Sequence, residues 1–220
     1  MTASPAPIRI LIADDDALVR SALSVIFAAI PDIEVVGEAA DGEQVLAAVP
    51  EIRPDVVLMD IRMPVMDGLD ATEALRSGQD PPEVVVLTTF HADEYVLRAL
   101  RVGASGFLLK DSPPTRIVEA IRAVVEGDPI LSPAVTRSLI SHVAEFGVDN
   151  RQRDARASLA RLTEREREVA YAIGRGESNA EIGAALFMSI PTVKANVSRM
   201  LTKLDLNNRV QIALLTNDAR

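Results

Sequence analysis

The chain has 220 residues with 48% apolar content, which excludes a chain disordered throughout and suggests two compact units with a connector. It contains no apolar stretch of roughly 18 residues, no basic-then-apolar leader and no cysteine, so a membrane span, a secretory signal, disulfides and thiolate metal sites are not expected, which fits a cytoplasmic protein. The net charge of −9 conceals an asymmetry: residues 1–126 carry ten basic and 21 acidic side chains, whereas residues 151–220 carry twelve and eight, so the low overall pI does not exclude nucleic acid as a partner of the second half.

From residue 8 onward, short apolar runs alternate with longer amphipathic stretches. The runs Ile8–Ala13, Ile33–Val36, Val56–Met59, Val84–Leu87 and Gly106–Leu109 read as strands buried on both faces. Helical patterns lie between and after them at about 16–29, 41–49, 67–77, 93–101 and 113–126. Five βα units in succession predict an α/β, doubly wound parallel sheet with right-handed crossovers. Gly127-Asp128-Pro129 ends the last helix, and SPAVTRSLISHVAEF, 132–146, reads as one further amphipathic helix. The polar, patternless GVDNRQRDARAS, 147–158, reads as linker, so the connector spans 127–158. A small all-α unit over 159–220 is expected to hold four short helices, at 163–174, 179–186, 190–204 and 208–217. Capping boxes open the first two, at Thr163/Glu166 and Ser178/Glu181.

Each apolar run but the second ends in a group able to do chemistry: Asp14-Asp15-Asp16, Asp60, Thr88-Thr89 and Lys110. Ligands of open parallel sheets bind beyond the carboxyl ends of the strands, so these residues are expected to converge. One of the three N-terminal acids is expected to cap the following helix. Crowded carboxylates raise one another's pKa unless a cation is present, and a hard ion with oxygen ligands suits them, Mg²⁺ above all. Carboxylate, metal, ammonium and hydroxyl together make a site that receives a phosphoryl group, with Asp60 as nucleophile. The only histidines, His91 and His142, have no metal-spaced partners.

The runs ILIADDDALVR, DIRMPVMDG, VVVLTTF and GASGFLLKD resemble the receiver domain of bacterial two-component response regulators over residues 8–126. The resemblance implies a flavodoxin-like five-stranded sheet of order 2-1-3-4-5. It also implies phosphorylation of Asp60 by a sensor histidine kinase and Mg²⁺ held by Asp14, Asp15, Asp60 and the backbone carbonyl of Arg62. Lys110 corresponds to the family's lysine and Thr88 to its switch hydroxyl. Phe107 corresponds to the switch aromatic, expected to pack inward on phosphorylation. Family members often follow that lysine with a cis proline; here Asp111 follows. Arg62 and Phe90, each two residues beyond a site residue, are expected to shield an acyl phosphate and slow its hydrolysis. A phosphatase would want an acid where Arg62 stands, and a vestigial receiver would have lost an acid or the lysine; neither is the case.

In SIPTVKANVSRMLTKL, 189–204, a turn of 100° per residue gathers Val193, Val197, Met200, Leu201 and Leu204 on one face. Ala195, Ser198 and Thr202 fall opposite, edged by Lys194 and Arg199, as a groove-reading helix requires. With helix 179–186 and the link Phe187-Met188 this forms a helix-turn-helix pattern. LTEREREVAYAIGRGESNAEIGAALFMSIPTVKANVSRMLTKLDLNNRVQ resembles the LuxR-type DNA-binding domain, and the whole chain a NarL/FixJ-type response regulator. That resemblance implies a transcriptional regulator, not an enzyme, that binds double-stranded promoter DNA through Thr192, Lys194, Ala195, Ser198, Arg199 and Lys203. One such unit reads too few base pairs for specificity, so a homodimer is expected. The apolar excess of the last helix, Val210, Ile212, Leu214 and Leu215, serves either that contact, as in the family, or simple core packing.

Overall fold

The computed structural model describes residues 6–78, 80–89, 93–128, 130–131 and 148–219. The sequence-predicted helix at 132–146, together with Phe90, His91 and His142, lies outside the described residues.

Five parallel strands form the first unit: β1 Ile8–Ala13, β2 Ile33–Ala39, β3 Val56–Met59, β4 Glu83–Thr88 and β5 Gly106–Leu109. Their order is 2-1-3-4-5, as the family resemblance implies, and a two-residue strand β6, Ile130–Leu131, extends the β5 edge. Aspartates start the first three helices: Asp16 caps α1 (Ala17–Ala28), Asp41 caps α2 (Gly42–Ile52) and Asp67 caps α3 (Gly68–Arg76). Helices α4 (Asp93–Arg101) and α5 (Pro114–Val125) complete the unit.

Side chains alternate across the pleat, so successive strand residues enter different cores. Ile10, Ile12, Leu58, Val85 and Leu108 pack with Leu23 and Phe27 of α1 and Ile117, Ile121 and Val124 of α5. Leu11, Ala13, Val57, Met59 and Val84 pack with Val45 of α2 and Leu75 of α3. Val86 and Phe107 meet Val96 and Leu100 of α4.

The second unit contains α6 (Val148–Ala160), α7 (Glu164–Gly174), α8 (Asn179–Leu186), α9 (Ile190–Leu204) and α10 (Arg209–Asp218). Both predicted capping boxes form, at Thr163/Glu166 and Ser178/Glu181. Residues read as linker are largely helix α6. Among the described side chains of that helix Ala155 and Leu159 are buried, four residues apart and among charges, too sparse a stripe to register as periodic.

The two units pack against each other. Arg76 donates to the carbonyls of Pro82 (3.0 Å) and Asn207 (2.6 Å), tying the end of α3 to the turn before α10. Arg209, buried at the start of α10, donates to Asp128 Oδ1 (2.8 Å), Gly127 O (3.1 Å) and Asn179 Oδ1 (2.8 Å). Gly103, at φ +104°, lies where an added Cβ would come within 2.9 Å of Asn207 Cβ, so backbone and turn approach as only glycine permits.

The apolar excess of α10 is explained here. Val210 and Leu214 join the α4 cluster around Phe107, while Ile212 and Leu215 face the core of their own unit. The last helix has two apolar faces because it lies between two cores. All four residues expected at a dimer contact are engaged within one chain in this arrangement.

Candidate functional site

Strand β3 carries Asp60 directly beyond Met59, and the Asp60 N–H continues the ladder by donating to Ala13 O at 2.8 Å. The carboxylate is therefore fixed to the sheet rather than to a loop. Its Oδ1 accepts from Ile61 N (2.8 Å) and its Oδ2 from Lys110 Nζ (2.8 Å). Lys110 Nζ also lies 2.6 Å from Asp14 Oδ2. Carboxylate oxygens of Asp14, Asp15 and Asp60 all come within 4.8 Å of one another. Asp16 leaves this group to cap α1, its carboxylate accepting from Leu18 N, so the division of labour among the three consecutive acids is settled.

Asp14 and Asp60 are buried while Asp15 is exposed, so the cluster opens to solvent on one side only. Burial raises the Asp14 pKa; the hydrogen bonds from Lys110 and the Asp16 amide and the lysine's charge oppose the rise, and the Asp60 charge adds to it. Burial disfavours the Lys110 ammonium, but its hydrogen bonds to Asp14 and Asp60 and their charges outweigh this and hold its pKa above the ordinary lysine value. Two buried acids thus share one ammonium and retain an excess of negative charge. Such a donor set suits a hard divalent cation.

Thr88 ends β4, fully buried, and its carbonyl accepts from Lys110 N at 2.9 Å. Arg62, two residues past Asp60, donates to the Tyr95 hydroxyl of α4 at 3.2 Å, its guanidinium 6.0 Å from the centre of the ring. No peptide bond among the described residues is cis, Lys110–Asp111 included. Phe107, the residue expected at the switch, is fully buried in this arrangement among Leu69, Val86, Val96, Leu100 and Val210.

In the second unit, α8 and α9 are joined by Phe187–Ser189, and Ser189 caps α9 through Thr192 N. Val193, Met200 and Leu204 are buried as the periodicity requires, while Ala195, Ser198 and Thr202 are exposed. Arg199 lies back along its own helix, donating to Ala195 O (3.1 Å) and Asn196 Oδ1 (3.3 Å). Lys203 does not extend this surface: its Nζ donates to both oxygens of the buried Glu166, at 2.8 and 2.7 Å. In this arrangement that side chain fastens α7 to α9.

Lys194 is held by the first unit, donating to Glu126 Oε2 (3.1 Å) and Val125 O (3.4 Å). A cavity of about 220 Å³ lies between the units, lined on one side by Lys194, Val197, Ser198 and Leu201 of α9. The helix with the groove-reading pattern therefore faces the first unit. Asn208, Arg209 and Gln211, which make much of this interface, carried no signal in the sequence, because polar residues at a helix start read as solvated caps.

Residues 10–122 match the family profile of the response regulator receiver domain, and residues 160–216 that of the bacterial regulatory proteins of the luxR family. Among curated proteins, the chain is similar to the transcriptional regulatory protein LiaR of Bacillus subtilis, 39% identical over 207 residues, covering 94% of this chain and 95% of that one. It is also similar to the transcriptional regulatory protein DegU of Brevibacillus brevis, 37% identical over 213 residues, covering 93% and 90%. Among solved structures, the response regulator ChrA of a heme-sensing two-component system aligns with a TM-score of 0.54 at 33% identity, covering 97% of this chain and 98% of that one. Both halves are matched in order and over nearly their whole length, and the chain belongs to the LuxR-type response regulators, two-component transcription regulators that join a receiver to a helix-turn-helix domain.

Proposed function

We propose that this regulator is switched by phosphorylation of Asp60 by a partner sensor histidine kinase in the cytoplasm, and that its phosphorylated form binds promoter DNA as a dimer. The observation that carries the reading is the placement of Asp60 on a rigid strand end, with Lys110, Asp14 and Asp15 gathered at its carboxylate.

In the transfer, an Asp60 oxygen bonds to phosphorus as the bond from phosphorus to the donor's imidazole nitrogen breaks, which leaves an acyl phosphate. Lys110 offsets the charge of the incoming phosphoryl oxygens. Asp14, Asp15, Asp60 and the backbone carbonyl of Arg62 would hold Mg²⁺, which supplies charge neutralisation between a carboxylate and a phosphoryl group that repel one another. Thr88 at the end of β4 is the hydroxyl that turns toward the phosphoryl group. The acyl phosphate is lost only slowly, with Arg62 and Phe90 limiting the access of water. Residues 8–126 form the receiver, 127–158 the connector and 159–220 the DNA-binding domain. DNA contact falls to Thr192, Lys194, Ala195, Ser198 and Arg199, with the exposed small residues of α9 admitting the helix to the groove.

The test is incubation with Mg²⁺ and acetyl phosphate. Stable labelling that Asp60→Asn abolishes, together with tighter DNA binding of the labelled form, is the expected result. Rapid turnover without accumulation, or no labelling at all, would end the reading.

A further inference from the structure

Helix α4 has nine residues, and its last carbonyls have no partner within the helix. Three are met locally: Val102 N donates to Arg98 O and Ala104 N to Ala99 O, both at 2.9 Å, and Gly103 N reaches Leu100 O at 3.3 Å. The end of the helix is completed from the other domain. Asn208 Nδ2 donates to Leu100 O and to Ala104 O, each at 2.9 Å, and Gln211 Nε2 donates to Leu100 O (3.0 Å) and Arg101 O (2.9 Å). Asn208 Oδ1 meanwhile accepts from Gln211 N at 2.9 Å, which makes it the N-cap of α10. One buried carboxamide thus closes two helices that belong to different domains. The amide orientation is forced, because the reverse would set Oδ1 against two carbonyl oxygens.

The opposite end of α4 is tied to the acid pocket. Tyr95, near the start of α4, is bonded to Arg62, two residues from Asp60; Arg98, in the last turn, pairs with Asp67 and Asp70 at the start of α3. A nine-residue helix rises about 13 Å, so α4 runs as one rigid piece from the rim of the pocket to the domain interface.

We propose that Asn208 is the residue through which the receiver holds or releases the DNA-binding domain: its amide reads the position of the α4 terminus. A displacement of α4 removes both amide hydrogen bonds at once, leaving Leu100 O with only the longer bond from Gly103 N and Ala104 O without the amide, so the contact is made or lost as a unit. Only the cause of that displacement rests on the phosphorylation proposed above. The dependence on the Asn208 amide stands apart from it.

Aspartate caps a helix as well as asparagine does, but it offers no N–H and would set negative charge against the negative end of α4. Asn208→Asp therefore keeps the cap of α10 and removes the hold on α4. Asn208→Ser does the same without adding charge. In the unphosphorylated full-length chain, both variants should keep the far-UV helix signal and give a larger radius of gyration by X-ray scattering. Binding to random-sequence duplex DNA should tighten about tenfold or more for Asn208→Asp and about threefold for Asn208→Ser. If both variants stay as compact as the parent and bind DNA within twofold of it, the proposal is overturned. If only Asn208→Asp opens, repulsion rather than a lost donor is responsible, and the amide has no such role. Opening of both in a chain that acetyl phosphate does not label would overturn the phosphorylation reading and leave this inference standing.

Discussion

The Lys110 ammonium stands 2.8 Å from Asp60 Oδ2, joining the end of β5 to the end of β3, and on its other side it meets Asp14 at 2.6 Å. It is the cation that lets two buried acids stay ionised side by side. Lys110→Ala should lower stability by about 3 kcal/mol, the low end of the range for breaking a buried pair. Millimolar Mg²⁺ should restore more of the melting temperature in the variant than it adds to the parent, because the cation then supplies the missing positive charge. Thermal denaturation with and without Mg²⁺ checks this, and an equal response of both proteins would show that the acids do not hold the ion.

Gly68 opens α3 directly against the end of β3, the strand that leads into Asp60. An added Cβ would fall 1.8 Å from the Asp60 carbonyl oxygen, a backbone atom that cannot move without displacing the ladder. Gly68→Ala should destabilise by at least about 3 kcal/mol, the top of the usual overpacking range. Urea unfolding measures the loss, and labelling by acetyl phosphate should slow with it.

Val65 carries strain of the opposite kind. It sits at φ +65°, exposed, in a conformation that a β-branched residue adopts only under constraint. Glycine there would relieve the backbone and lose little packing. Val65→Gly should raise stability by up to about 1 kcal/mol, after the entropy glycine adds to the unfolded chain is subtracted. A shifted urea midpoint at unchanged slope is the expected reading.

Glu166 links stability to pH in the DNA-binding domain. Burial raises its pKa, but hydrogen bonds from Lys203 and Thr163 and the lysine's charge outweigh this, and the carboxyl lies below its ordinary value. A carboxylate held low in the folded state contributes stability above its unfolded pKa and loses it as pH falls through the folded one. Glu166→Gln keeps the capping box and removes the charge. The gap in melting temperature between parent and variant should be widest near neutral pH and close as pH falls below 4.5, the ordinary glutamate value.

Lys194 has two uses that separate by salt. In the closed arrangement it pairs with Glu126, and in the proposed DNA complex it would meet a phosphate. Lys194→Ala should weaken DNA binding and reduce the slope of log affinity against log salt by about one. Glu126→Ala should leave that slope unchanged while tightening binding by the unphosphorylated chain. Titrations at several salt concentrations distinguish the two.

The receiver was legible because parallel strands buried on both faces leave uninterrupted apolar runs, and because each run hands its chemistry to the next residue. Asp14, Asp60 and Lys110 meet for that reason. Spacing alone could not show that Asp16 leaves the cluster to cap a helix, since all three acids occupy similar positions before it. It also could not show that Lys203, expected at DNA, is bonded to a buried glutamate. Helix α6 was hidden because, among its described side chains, Ala155 and Leu159 alone are buried. The interface was least visible, because Asn208 and Arg209 act through contacts with residues about eighty to a hundred positions away.

Helix α10 belongs to both cores, with Val210 and Leu214 on the receiver and Ile212 and Leu215 in its own bundle. A fragment severed at the connector would therefore carry a bare greasy stripe. Transplanting this DNA-reading half onto a foreign receiver would need a host whose surface supplies both an apolar seat for those two side chains and a helix end for Asn208 to grip. In this protein the unit of exchange is larger than the stretch that reads DNA.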